Sequence, residues 1–232
     1  MMMHLNIQQL VPLVTCLMFS AFSYGQDVLR LGIPILKPFT YIEDGVFKGT
    51  AVTPVKQALE NSDLKYEWVF IENYSLLLKA VRSNTIDGFF VATKNVERDK
   101  YARFSKPVFM DHYSWFILKN APYELDSSDF KLNARIGAIL KTNSHRLTIR
   151  RGYQVYGQPS ELLAQQFISG TLDAVFATQA SFGYELNTIN FPKKKYTIVQ
   201  DSERPFGIYI SKKYLGRHPN TLDKINQHII TE

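Results

Sequence analysis

Ser83-Asn84-Thr85-Ile86-Asp87-Gly88-Phe89-Phe90-Val91-Ala92-Thr93 in the first half of the chain matches Ser169-Gly170-Thr171-Leu172-Asp173-Ala174-Val175-Phe176-Ala177-Thr178 in the second. Each stretch reads as the end of a helix, a cap, an Asp that opens a strand, an apolar strand and a terminal Thr. Asn84 and Gly170 suit the left-handed residue that ends a helix. The match predicts two domains of similar build. In open α/β sheets ligands bind beyond the carboxyl ends of the strands. Two such domains facing one another put Thr93 and Thr178 on opposite walls of one cleft.

Strands and helices alternate on either side of these stretches. Residues 28–33 alternate as a short strand, and Pro34 and Pro38 break the run. Residues 41–47 read as a hairpin turning at Asp44-Gly45. Residues 52–59 have helical spacing, 66–70 form a strand, 74–82 form a helix and 86–92 form a buried strand. In the second half, residues 135–140, 172–177, 196–199 and 206–210 read as strands. Residues 162–168 and 221–230 read as helices. Such alternation implies an α/β protein of βαβ units around a mostly parallel sheet.

The first 25 residues contain no Lys, Arg, Asp or Glu. Residues 11–22 are almost wholly apolar, and small residues follow at Ser23 and Gly25. This is the pattern of a secretory signal peptide, with cleavage expected after Gly25. A membrane anchor needs about 20 apolar residues, more than this run supplies. A lipoprotein signal fits poorly, because Leu13-Val14-Thr15-Cys16 has Thr where a small residue is wanted. Cys16 is the sole cysteine and leaves with the signal. The mature chain then has no disulfide, no CxxC metal site and no cysteine nucleophile. The roughly 205 residues that remain suffice for two small domains or one large one.

The net charge is +6, with 45% hydrophobic and 21% charged residues. Basic clusters occur at His145-Arg146, Arg150-Arg151 and Lys193-Lys194-Lys195. They are short and far apart, so they read as a solvated, mildly cationic surface that modestly favours anionic ligands. Export argues against nucleic acid. No HExxH, GxSxG, Walker loop or GxGxxG occurs, and no histidines pair at metal-ligand spacing. Asp111-His112 is the only acid beside a His. Neighbours on a strand point to opposite faces, so the pair reads as structural.

The segment with most chemistry is Thr93-Lys94-Asn95-Val96-Glu97-Arg98. Thr93 ends a buried strand and offers a hydroxyl to the crevice. Arg98 is near enough in sequence to reach the same crevice, where its planar fork suits a carboxylate. The residues alone leave open whether Arg98 does this or is an ordinary surface Arg in a charged run.

These features resemble the bacterial extracellular solute-binding proteins of family 3, the polar amino-acid-binding type of periplasmic binding protein. The likeness runs from about Leu29 to the C-terminus. Leu29-Arg30-Leu31-Gly32 and Lys37-Pro38-Phe39-Thr40-Tyr41 are similar to the family's first strand and ligand loop. Glu43-Asp44-Gly45-Val46-Phe47-Lys48-Gly49 resembles its hairpin, and Val81 to Gly88 its helix end and strand opening. Thr93 to Arg98, then Phe104-Ser105-Lys106-Pro107, are the most specific pieces, and Leu172-Asp173-Ala174-Val175 matches in the second half.

The resemblance implies a two-lobed periplasmic binding protein-like (type II) fold with a hinge of two crossing strands, near residues 112–119 and 206–211. Lobe one would comprise residues 26–112 with 206–232, and lobe two residues 113–205. It implies that Arg98 clasps a ligand carboxylate with help from Thr93, and that Phe39 or Tyr74 packs on the ligand. The loop of Lys141, Thr142, Asn143 and Ser144 would add backbone amides from the second lobe. Where the family usually places an Asp for the ligand ammonium, this chain has Thr178. Ile33 stands where an acid often follows strand one, and Gly49-Thr50-Ala51 replaces Gly-Phe-Asp.

The expectation is a monomeric periplasmic binding protein, without cofactor or metal. It would trap an amino acid or related carboxylate for uptake through the membrane permease of an ABC transporter. One alternative is an orphan ligand sensor or envelope accessory protein without a permease. Another is a dehydratase or lyase on the same fold, with Glu43 or Asp111 as acid or base.

Overall fold

A computed structural model describes residues 27–230. The signal-peptide reading of residues 1–25 lies outside the described residues. The first lobe opens with β1 (Leu29–Ile33), the hairpin strands β2 (Tyr41–Glu43) and β3 (Val46–Lys48), and helix α1 (Val52–Glu60). Asp44 and Gly45 have φ of 53° and 75°, the pair of positive values that a tight two-residue hairpin turn demands. There follow β4 (Tyr66–Phe70), α2 (Tyr74–Arg82), β5 (Gly88–Thr93), the short α3 (Val96–Asp99) and β6 (Ala102–Phe104).

Strand β7 (Phe109–Leu118) leads into the second lobe. That lobe holds α4 (Ser128–Asn133), β8 (Ile136–Ile139), α5 (Asn143–Arg150) and β9 (Val155–Gln158). It continues with α6 (Ser160–Ile168), β10 (Ala174–Thr178) and α7 (Gln179–Thr188). Strand β11 (Tyr196–Ser211) returns to the first lobe, where α8 (Lys212–Arg217) and α9 (Thr221–His228) close the fold.

Nine of the described strands form one sheet in the order β4-β1-β5-β11-β7-β10-β8-β9, with β6 paired to β11, and the antiparallel hairpin β2-β3 stands apart as a second sheet. Pairing is parallel inside each lobe, between β1 and both β4 and β5, and between β8 and both β9 and β10. It is antiparallel wherever β7 or β11 takes part. The expected strands at 196–199 and 206–210 are therefore one strand of 16 residues. The polar stretch between them has no alternation to betray a strand, but pairing to β7 keeps it extended. Pro205 falls where β11 is bonded on one side only, a place that tolerates a missing N–H.

Residues 110–112 and 203–205 pair only with each other, linking the two parallel regions. The crossings thus lie at residues 110–112 and 203–205, the first meeting the expected 112–119 at its start and the second just ahead of the expected 206–211. Each lobe buries both faces of its sheet. Leu29, Leu31, Ile33 and Phe90 face one core of the first lobe, and Phe89, Leu77 and Ile86 the other. In the second lobe Phe116 and Leu118 point into one core, and Tyr113, Trp115 and Ile117 into its counterpart. A strand covered on both faces reads as an apolar run, the pattern of 86–92 and 172–177.

The sequence match extends into three dimensions. Asn84 and Gly170 have φ of 59° and 75° and end α2 and α6 as left-handed caps. Asp87 takes the backbone N–H of Arg30 at 3.1 Å and its Nε at 2.8 Å. Asp173 takes the same two groups of Arg135, each at 2.9 Å. The Nη2 groups reach back to the carbonyls of Asn84 and Gly170 at 2.9 and 2.8 Å. Even the following glycines correspond. A β-carbon on Gly32 would lie 2.4 Å from Leu77 Cδ2, and one on Gly137 2.7 Å from Leu163 Cδ2.

Candidate functional site

Strand β5 delivers Thr93 to the carboxyl end of the first sheet, and a single turn, α3, brings Arg98 back over it. Asn95 sets that turn. Its side chain accepts the Arg98 N–H at 2.9 Å, and its own N–H donates to the Tyr209 hydroxyl at 3.0 Å. Arg98 is only 2% exposed. Its Nη1 donates to the Thr93 carbonyl at 2.6 Å and lies 3.4 Å from Thr93 Oγ1. Its Nε has no hydrogen-bond partner, and it forms no ion pair among the described residues. Burial pushes its guanidinium pKa down. The surface-Arg alternative is thereby removed: a long cation is buried beside a strand end without a counter-charge.

Tyr74 covers the guanidinium, whose central carbon lies 5.1 Å from the ring centre. The Tyr74 hydroxyl donates to the Val91 carbonyl, and burial raises its pKa. Val91 has φ of 56°, a left-handed conformation that a β-branched residue adopts only under strain. The strand thus deviates just before Thr93.

The second lobe meets this corner through α5. Thr142 caps that helix, accepting the His145 N–H at 3.3 Å and donating to the Ile139 carbonyl at 2.6 Å. The first-turn N–H groups of Asn143 and Ser144 have no carbonyl partner within the helix. Asn143 crosses between lobes: its Nδ2 donates to Thr93 Oγ1, and its Oδ1 accepts from Asn95 Nδ2 at 2.9 Å. Tyr113, on the crossing strand β7, brings its hydroxyl to 3.5 Å from Thr93 Oγ1. Thr178 stands at the N-terminus of α7 from the opposite side, and its hydroxyl caps no helix N–H.

These groups enclose a cavity of about 30 Å3 lined by Tyr74, Thr93, Arg98, Thr142, Asn143 and Thr178 together with Leu36, Val91, Tyr113, Ile139, Ser144 and Phe206. The structure therefore brings together six of the seven residues picked from the sequence. Phe39 is the exception. It is buried behind the site, its ring 5.5 Å from Phe206 and 4.8 Å from Phe109, and Phe206 takes the place by the cavity. Tyr113 and Phe206 carry no local signal of a site, because the crossing strands bring them in from distant sequence. The cavity lining includes no Asp, Glu or His. Glu43 is exposed in the hairpin, 2.5 Å from Lys48. Asp111 lies on the crossing strand and accepts the N–H groups of His112 at 2.7 Å and Ala180 at 3.4 Å. Neither acid lines the cavity.

The basic clusters also separate. Arg151 pairs with Asp201 at 2.5 Å. Arg146 and Arg150 instead line a wider groove outside the cavity, with Lys79, Arg82, Lys94 and Arg204. The reading of all clusters as dispersed surface charge is corrected to that extent, because the fold gathers cations from α2, α5 and β11 that are remote in sequence.

Comparison with known proteins accords with this architecture. The family model of the bacterial extracellular solute-binding proteins, family 3, matches residues 29–229. Among solved structures, the arginine-, lysine-, histidine-binding protein ArtJ from Geobacillus stearothermophilus is 19% identical, with a TM-score of 0.71 over 88% of each chain. An ancestral arginine-binding protein bound to arginine is 22% identical, with a TM-score of 0.71 over 87% of this chain and 90% of its own. A histidine kinase sensor domain with similarity to periplasmic binding proteins is 14% identical, with a TM-score of 0.74 over 87% and 88%. At these identities the likeness establishes the two-lobed type II fold. A search of the curated proteins returned no match.

Proposed function

Because the chain belongs to the bacterial extracellular solute-binding proteins, family 3, we propose that it binds a small carboxylate ligand between its lobes in the periplasm and presents it to the permease of an ABC transporter. The lobes would divide as residues 26–112 with 206–232, and 113–205. The observation that carries this reading is the buried Arg98, with an unpartnered Nε and no ion pair, facing Thr93, Asn143 and the first turn of α5. A buried cation without a counter-charge is costly, and a carboxylate arriving at its fork offsets that cost. The cavity of about 30 Å3 suits little more than a water molecule, so a ligand enters as the lobes part about the two crossing strands.

Glu43 and Asp111 lie outside the cavity lining, which weakens the dehydratase or lyase reading. The sensor alternative draws support from the likeness to a histidine kinase sensor domain. Thermal shift with amino acids, their deaminated acids and their decarboxylated amines tests the carboxylate reading, with calorimetry to follow. A carboxylate compound is expected to raise the Tm of the parent but not of Arg98→Ala. Equal shifts in both proteins, or shifts only with the amines, would overturn it. Retention of the chain by detergent-solubilised permease, dependent on ligand, separates carrier from sensor.

A further inference from the structure

We propose that the cleft is built for a ligand with two anionic groups and no ammonium: one anion at Arg98 and Thr93, the other in the outer groove between Arg146 and Arg204. This rests on the carboxylate reading of Arg98 and names the class of ligand. The outer groove holds about 1050 Å3 and shares Thr93, Tyr113 and Asn143 with the inner cavity. One wall is α2, which presents Ser75, Lys79 and Arg82 at helical spacing. The facing wall is α5, which presents Asn143, Arg146 and Arg150 in the same way.

The charge of this groove is almost all of one sign. Glu97 is the one carboxylate among its lining residues, and it is held by Arg82 at 3.0 Å and Lys100 at 2.7 Å. Lys79, Lys94, Arg146, Arg150 and Arg204 form no ion pair among the described residues. Arg204 adds an independent observation. Its Nε is buried without a hydrogen-bond partner, and its guanidinium carbon lies 5.2 Å from the Tyr113 ring centre. Arg98, hydrogen-bonded to Thr93 beside the same tyrosine, has the same unsatisfied Nε. Two under-bonded guanidinium groups thus converge on Tyr113, one from α3 and one from β11.

Closing the lobes brings the cations of α2 and α5 towards each other. An anion between them turns that repulsion into attraction. An ammonium or guanidinium there meets no carboxylate in the cavity and faces several cations outside it. The cleft therefore selects against basic and zwitterionic ligands, a discrimination made by repulsion as much as by attraction. The structural neighbours named for arginine share the fold, but a ligand of that charge is a poor match to these walls.

Calorimetry on the purified protein tests this with glutarate, 2-oxoglutarate and 3-phosphoglycerate as dianions, butyrate and pentanoate as monocarboxylates, and L-glutamate and L-arginine as ammonium-bearing compounds. At least one dianion is expected to bind ten-fold or more tighter than either monocarboxylate, and 2-oxoglutarate tighter than L-glutamate. Which dianion wins decides between carboxylate and phosphate as the second group. Arg146→Glu is expected to weaken dianion binding far more than monocarboxylate binding and so cancel the dianion advantage, and Arg204→Gln to reduce that advantage in the same direction. The Arg146 variant suffices should Arg204, whose Nε is buried, prove necessary for folding. Monocarboxylates binding as tightly as dianions, in an Arg98-dependent way, would overturn this proposal alone. Dianion binding that survives Arg98→Ala but not Arg146→Glu would overturn the inner carboxylate site and leave the groove. Tighter binding of L-arginine, or no binding by any probe, would count against both.

Discussion

Arg98 illustrates how a binding residue can oppose stability. Its guanidinium is buried, one nitrogen is unsatisfied, and its partners are neutral oxygens and an aromatic ring. Arg98→Met keeps the packing volume and removes the desolvated charge. It is expected to raise unfolding stability by about 1–2 kcal/mol while abolishing carboxylate binding. Urea denaturation beside calorimetry checks the two effects together. Arg98→Lys keeps the charge but loses the planar fork, so weaker binding is expected despite the conserved sign. Glu185 on α7 is a second strained charge. Burial and the neighbouring Glu161 raise its pKa, and Ser160 donates to it at 3.2 Å. The folded state therefore holds this proton more tightly than the unfolded chain, and stability falls as pH rises from the ordinary glutamate pKa through the raised one. Glu185→Gln is expected to flatten that part of the stability–pH curve and to match or exceed the parent at neutral pH, as read from thermal melts across pH 4–8.

At the scale of elements, the same device appears twice. In each lobe an Arg on one strand grips the Asp that opens the next strand, and reaches back to the carbonyl of the left-handed cap between helix and strand. One side chain thus fixes the helix end, the turn and the strand register. Asp87→Ala and Asp173→Ala each leave an Arg and a backbone N–H without their acceptor. Each is expected to cost about 3 kcal/mol. Urea titrations of the two variants should give midpoints displaced in the same direction by similar amounts. A large asymmetry would show that one copy of the device has lost its structural importance. The α2 N-terminus is set in a simpler way, by Asn73 accepting from Ser75 and Leu76 N–H groups at 3.1 and 3.2 Å.

For the whole molecule, the lobes meet through few polar contacts at the cleft. Asn143 holds Thr93 and Asn95 across it, while the cations of α2 and α5 lie on facing walls. The first interaction favours closure and the second opposes it. Asn143→Ala is expected to shift the population towards open forms, seen as a larger radius of gyration in X-ray solution scattering. Raising ionic strength screens exposed like charges beyond about 8 Å and is expected to shift the parent the other way. Unchanged scattering in both experiments would mean that the crossing strands, and not the cleft contacts, govern the angle between lobes.

The sequence by itself determined the elements whose signal is local. Asp44-Gly45 specified the hairpin turn, Asn84 and Gly170 ended their helices, and residues 66–70 and 74–82 carried their own periodicity. The internal match put Thr93 and Thr178 on one cleft, the residues alone offered Arg98 beside Thr93, and the family resemblance added the carboxylate role of Arg98 and the loop of Thr142 and Asn143. Helices α5 and α7 have no clear local signal, because polar and glycine-containing segments show little apolar spacing and gain their stability from packing. The Arg partners of Asp87 and Asp173 were legible only as Arg30-Leu31-Gly32 and Arg135-Ile136-Gly137, short pieces with no meaning until both lobes are aligned. Tertiary structure alone decided that Phe206 and not Phe39 faces the cavity, that Arg204 and Arg146 share a groove, and that residues 196–211 are one continuous strand. Those facts depend on which strands pair across long separations in sequence. Pairing is settled by burial of both sheet faces together, a property of the assembled chain and of no single segment of it.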